Sequence, residues 1–506
     1  MMAQGNESAR ERPVPANPNA GTLQYPKIIQ GGMGAGVSSW RLANAVSTAG
    51  DLGVVSGTAL DAILCRRLQV GDPGGHMRRA MAAFPYPAVA ERVLDRFFID
   101  GGKAADAPFK ANPVPAVDPS PHLLELIVLA NFVEVYLAKE GHSGAVGINY
   151  LEKIQLPNVS SIFGAMLADV DYVLMGAGIP RLIPGILDHY AAGEPAELPI
   201  AVLNDGAGAV TRFDPRQICG DDVPKLKRPK FLAIVASVTL ASMLKRKANG
   251  KVDGFIIEGP TAGGHNAPPR GKLQLDDNGE PIYGPRDEVD AAAFAALGLP
   301  FWFAGSYGSA DGLCRARAAG AQGIQVGTLF AFCDESGIAP ELKQEVIQKV
   351  IDGTAHVITD PVASPTGFPF KIIDKKGTMK DPEVYAARKR ICDLGYLRHA
   401  YPKEDGSIGW RCPSEPTAHF ERKGGKLADT EQRICVCNGL MATIGLGQVR
   451  RDGTAEAPLL TSGDALPEIR SLLPDGATSY RAQDVLDALH ARSKNEVHVD
   501  SSLGAV

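Results

Sequence analysis

Short apolar runs, each stopped by glycine or a polar residue, recur along this chain and set its predicted architecture. They are Lys27 to Gln30 (KIIQ), Asp51 to Gly57 (DLGVVSG), Ala145 to Leu151 (AVGINYL), Asp171 to Pro180 (DYVLMGAGIP), Phe231 to Thr239 (FLAIVASVT), Gly254 to Glu258 (GFIIE), Phe301 to Ser309 (FWFAGSYGS) and Gly323 to Val326 (GIQV). Their apolar character is continuous rather than alternating, as strands buried on both faces of a parallel sheet require. Most are followed by helix-like segments, among them Trp40 to Thr48, Leu240 to Lys247, Val289 to Ala296 and Ala310 to Ala319. Eight strand and helix units predict an α/β fold, a (β/α)8 TIM barrel, whose chemistry sits at the carboxyl ends of the strands.

The interruptions of this rhythm set the domain plan. Residues 1–23 are rich in Pro, Asn, Ala and charge without apolar period, which predicts a disordered tail. The barrel then occupies residues 24–376. An insertion at 58–143 reads as mostly helical packing, and His122 to Glu140 is apolar enough for a buried helix. A second insertion at 194–229 is polar and proline-containing, irregular around the short apolar piece Ile200 to Leu203. Asp277, Asn278 and Gly279 between extended pieces predict a hairpin. Residues 377–506 lose the barrel rhythm and are expected to form a smaller C-terminal domain, closed by an amphipathic helix over Tyr480 to Arg492.

Totals narrow the function class. The chain of 506 residues is 45% hydrophobic, enough for a large core, and its formal net charge is −5. Without a long basic run, that balance argues against nucleic acid or an anionic membrane as partner and leaves a small-molecule substrate. No stretch of about 18 uninterrupted apolar residues occurs, and the N-terminus lacks the order of a signal peptide, so the expected location is cytoplasmic. The oligomeric state stays open, a homo-oligomer included.

The densest chemistry lies in Gly254 to Gly271, GFIIEGPTAGGHNAPPRG. A strand ending at Glu258 delivers a loop in which Gly263 and Gly264 remove side chains where a flat ligand could press on backbone. His265 follows as the nearby group that titrates near neutrality. After the seventh strand Gly305, Ser306, Tyr307 and Gly308, and after the eighth Gly327 and Thr328, offer backbone N–H groups and hydroxyls where barrels commonly hold a phosphate. The first loop, GGMGAG at Gly31 to Gly36, lacks the spacing of a dinucleotide fingerprint and the lysine of a phosphate-gripping loop.

Together IIQGGMGAG, GINYL, GAGIP, EGPTAGGH and IQVGTLFAFCDES resemble the nitronate monooxygenase (2-nitropropane dioxygenase) and FMN-dependent enoyl-acyl-carrier-protein reductase family, over roughly Tyr25 to Ile373. The resemblance implies bound FMN, with Gly32, Met33, Gly34 and Asn149 beside the ring or ribityl chain, and Gly263 and Gly264 giving the backbone access to the flavin. It implies a phosphate site at Gly305, Ser306, Gly308, Gly327 and Thr328, with Gln325 on the last strand. His265 matches the family's acid/base. Two activities follow: oxidation of a nitronate or similar activated small molecule, or NAD(P)H-dependent reduction of an enoyl thioester in lipid or polyketide synthesis. Departures are Gly305-Ser306-Tyr307 in place of Gly-Gly-Ile, the hairpin after His265 and the insertion at 194–229.

The last third adds Cys392, Cys412, Cys435 and Cys437, in the strings RCPSEP and ICVCNGL. Four thiols in one segment could clasp zinc or an iron–sulfur cluster, with His419 as a substitute ligand, or could pack as small apolar side chains.

Overall fold

The eight apolar runs form strands because both faces of each are covered. The computed structural model describes residues 25–203, 208–474 and 476–499, so the tail expected over 1–23 lies outside the described residues. The strands are β1 Ile28–Gln30, β2 Gly53–Ser56, β3 Val146–Leu151, β4 Tyr172–Gly176, β5 Lys230–Val235, β6 Gly254–Glu258, β7 Phe301–Ala304 and β8 Gly323–Val326. They pair in parallel in the order β1-β8-β7-β6-β5-β4-β3-β2. A parallel bridge between Ile29 and Leu52, with Leu52 N donating to Ile28 O at 3.1 Å and Gln30 N to Leu52 O at 2.9 Å, closes the sheet into the expected barrel.

Alternate residues divide between two apolar layers. Ile29, Val54, Leu174, Leu232, Ile256 and Trp302 cluster inside the barrel, while Ile28, Val55, Val173, Phe231, Ile257, Phe303 and Ile324 join the larger cluster formed with the helices. The period of two is therefore present in direction but invisible in polarity. Trp302 is fully buried, and its Nε1 donates to Pro26 O at 2.8 Å.

The first insertion forms helices Leu60–Gln69, His76–Ala82, Pro87–Phe97 and Pro121–Lys139, as expected. Pro121–Lys139 is, among the described residues, the one helix long and apolar enough to cross a membrane, and most of it is buried inside the protein. The second insertion differs from its irregular reading. Ala196–Ile200 pairs antiparallel with Ala209–Phe213, with Ala196, Leu198 and Ile200 buried and Glu197 and Pro199 exposed. That strict alternation is a strand signal, overshadowed in the sequence by Pro199 and the surrounding polar residues. The turn at Asp277 to Gly279 is present, with Ile282 N donating to Gln274 O at 2.9 Å.

The C-terminal third packs onto the barrel and shares its core. Tyr396, Leu397, Met441, Leu459, Leu460, Val485 and Leu486 belong to the same hydrophobic cluster as the barrel helices. Tyr396 Oη donates to buried Asp61 Oδ1 at 2.6 Å, and Tyr480 Oη donates to Leu329 O at 2.7 Å. The closing helix runs over Ala482–Val499 and lies against Trp40–Thr48 and Ala310–Ala318.

Candidate active site

At the carboxyl ends of the strands the barrel opens into a cavity of about 240 Å³. Its wall includes Gly32, Met33 and Gly34 beyond β1, Asn149 of β3, Gly263, Gly264 and His265 beyond β6, Gly305, Ser306 and Gly308 beyond β7, and Gln325, Gly327 and Thr328 at β8. All thirteen residues singled out for flavin and proton chemistry thus meet in one place.

Two polar side chains in this wall carry unused capacity. Asn149 Oδ1 and Gln325 Oε1 are buried and find no hydrogen-bond partner among the described residues, although Asn149 Nδ2 donates to Gly32 O at 3.4 Å. Buried acceptors are rarely left so without a ligand or water. The two glycines of the GGH loop differ. A β-carbon on Gly264 would enter open space, but its φ of +82° lies in the left-handed region; one on Gly263 would stand 2.8 Å from Gly463 N. Gly263 therefore accommodates the backbone at 462–463, and Gly264 faces room. Ser306 also holds a left-handed φ of +54° where the family pattern has glycine. Thr328 Oγ1 accepts from Gly463 N at 2.9 Å, tying the end of the barrel to the C-terminal segment.

His265 is fixed by a part of the chain a hundred residues away. Gly264–His265 pairs antiparallel with Phe370–Ile373, which pairs in turn with Val357–Asp360. His265 Nε2 lies 2.6 Å from Ser364 Oγ, and Ser364 Oγ lies 2.9 Å from Thr366 Oγ1. Its ring stands 4.3 Å from that of Phe370, tilted by 34°. Protein surrounds the ring although part of its surface stays open to the cavity, and this burial, with Lys153 as the lesser cause, lowers its pKa to about 4. The imidazole expected to titrate near neutrality is thus neutral at pH 7, because desolvation penalises its cation. Burial acts oppositely on Glu258 at the end of β6, raising its pKa to about 8, so this cavity-lining carboxyl is protonated at neutral pH.

Residues that the motifs did not single out complete the wall. Phe370, Tyr396, Leu397, Leu440, Leu459 and Ser462 all come from beyond the eighth strand. Ser462 apart, their only sequence signal is apolar character in a segment without period.

The four C-terminal cysteines also converge. Cys392, Cys412, Cys435 and Cys437 line a second, small cavity together with Arg398 and Asn438. All four are free, and burial pushes the Cys392 thiol up to about 11 and raises the other three. Among the described residues no three Cys, His, Asp or Glu side chains are grouped to hold a metal ion, so the zinc expectation gains no support. His419 is exposed and does not border the cavity.

The sequence profile of the nitronate monooxygenase family matches residues 201–367. The (3aS,4S,5R,7aS)-5-hydroxy-7a-methyl-1-oxo-octahydro-1H-indene-4-carboxyl-CoA dehydrogenase of Mycobacterium tuberculosis is 28% identical over 251 residues, which are 47% of this chain and 62% of that protein. A probable nitronate monooxygenase of Bacillus subtilis is 33% identical over 128 residues, 25% of this chain and 35% of that protein. The chain therefore spans less than two thirds of the length of these relatives. The solved structure of FabK from Thermotoga maritima aligns with 95% of this chain and 96% of its own at 15% identity, with a TM-score of 0.47.

Proposed function

Because residues 201–367 match the profile of the nitronate monooxygenase family, we propose that this chain is an FMN-dependent oxidoreductase acting on nitronates or similarly activated small molecules, with His265 as acid/base. The observation that carries this reading is the pair of unpartnered buried acceptors, Asn149 Oδ1 and Gln325 Oε1, in the wall where all thirteen residues meet. A flavin has the N–H and ribityl O–H donors that such acceptors need, and the wall fits it. The loop Gly305 to Gly308 would hold the phosphate, assisted by the N-terminus of helix Ala310–Ala318, which Ser309 caps by accepting from Gly312 N at 2.9 Å.

Bound FMN would supply the redox chemistry, exchanging electrons with the substrate and with oxygen or a nicotinamide. The chain's own part is to bind, orient and move a proton. Neutral His265 can accept a proton from carbon beside an electron-withdrawing group and return it, while Ser364 and the Phe370 ring hold the imidazole in place. Protonated Glu258 keeps a negative charge out of the wall at neutral pH.

A second reading, NAD(P)H-dependent reduction of an enoyl thioester, has its own support in the apolar wall formed by Leu397, Val436, Leu440 and Leu459. The Mycobacterium tuberculosis relative, named as a carboxyl-CoA dehydrogenase, shares with this reading a thioester substrate, though not the direction of the reaction. Anaerobic mixing separates the two. Bleaching of the flavin by an alkyl nitronate and not by NADPH supports the monooxygenase, and rapid bleaching by NADPH supports the reductase. A flavoprotein bleached by neither would contradict both.

A further inference from the structure

The barrel cavity has a neighbour that the flavin reading leaves unused. Cys392 follows helix Pro382–Ala387, Cys412 follows strand Ile408–Arg411, and Cys435 and Cys437 sit at the start of helix Val436–Thr443. Packing alone gives no reason for these separate segments to bring all four of their cysteines to one void, while Cys65, Cys219, Cys314 and Cys333 lie elsewhere. We propose that Cys392, Cys412, Cys435 and Cys437 are the four ligands of a cubane iron–sulfur cluster seated against the wall of the barrel cavity.

Three observations select a cluster. A single zinc ion needs thiolates converging to about 2.3 Å from one point. No such grouping exists among the described residues, yet four thiols ring one cavity, as a larger body with an iron at each corner requires. Second, the surroundings suit negative charge. The Arg398 side chain lines the cavity, Arg388, held by Glu456 at 2.6 Å, acts electrostatically on Cys435, and Asn438 Nδ2 lies 3.5 Å from Cys435 Sγ. Third, the two cavities share a wall: Leu397, Val436 and Cys437 border both. Each thiol loses its proton as its sulfur takes an iron, so insertion of a four-iron, four-sulfide cluster of charge 2+ releases four protons and leaves a net charge of 2−. The Arg398 guanidinium at the cavity wall offsets part of that charge.

The full chain, purified anaerobically and reconstituted with ferrous and ferric iron in equal amounts and sulfide, which together give the 2+ core without a further oxidant, tests the assignment. About four irons and four acid-labile sulfides per chain are expected, with broad absorbance near 400 nm that dithionite bleaches. Cys435→Ser with Cys437→Ser should abolish iron retention, Cys437→Ser alone should weaken it if the double variant does not fold, and Cys219→Ser should leave it unchanged. Flavin content, read separately in each variant, distinguishes loss of the cluster from failure of the flavin site. Iron-free protein after reconstitution, one zinc per chain, or iron undiminished in the Cys437→Ser protein would each overturn the proposal.

Discussion

The two walls of the barrel cavity are built from different material. The barrel side carries the glycine loops, with Asn149 and Gln325 supplying the unpartnered acceptors at the strand ends, beside larger side chains such as Met33, Tyr150, Ile234 and Tyr307. The opposite side, from Tyr396, Leu397, Val436, Leu440 and Leu459, is largely apolar side chain. Parallel strands leave their terminal N–H and C=O groups unpaired at one edge of every such barrel, so that edge suits a polar, phosphate-bearing cofactor. The added wall has no such obligation, and its shape can decide which substrate is admitted.

Substitutions on either side can break this division. The largest effect is expected at Gly264. Valine there would be forced into a left-handed φ of +82° with its side chain in open cavity space, so Gly264→Val should lose the flavin altogether, seen as the ratio of visible to protein absorbance. Full flavin content would remove this loop from the cofactor wall. Next, His265→Ala should keep its flavin and lose about 10²–10⁴-fold in turnover with the nitronate or thioester substrate. On the other wall, Leu440→Ala should leave flavin content unchanged and cost on the order of 10-fold in kcat/KM, the scale of a lost apolar contact in a pocket. Loss of flavin from that variant would erase the distinction between the walls.

The smallest effect is in pH dependence. With His265 lowered to about 4 and Glu258 raised to about 8, the rate should show no limb near the usual histidine value of 6.5 but should change near pH 8. Glu258→Gln should remove that upper limb. The stability signs oppose each other. His265, depressed on folding, contributes stability that is present above about pH 6.5 and lost as pH falls toward 4. Glu258, raised on folding, makes a contribution that is full below about 4.5 and lost as pH rises toward 8, so Glu258→Gln should gain relative stability between those values in thermal melts.

The legible part of the fold was whatever depends on local pattern. All eight strands appear as apolar runs because both faces are buried, and helix Trp40–Thr48 falls where its spacing put it. The hairpin Ala196–Ile200 with Ala209–Phe213 escaped notice because its alternation spans few residues and includes Pro199. The site was legible in its glycine loops and His265. Its depressed pKa was not, since burial beneath Phe370 and the bond to Ser364 depend on a strand pairing across a hundred residues. The same holds for Gly463, whose backbone reaches both Gly263 and Thr328.

Releasing the cofactor from the purified full chain with acid and identifying it by chromatography decides whether this cavity holds FMN. About one FMN per chain is expected, because the loops after β7 and β8 offer one compact place for a monophosphate and the glycine loop after β1 lacks the dinucleotide fingerprint. Recovery of FAD, or of no flavin from folded protein supplied with excess FMN, would contradict it.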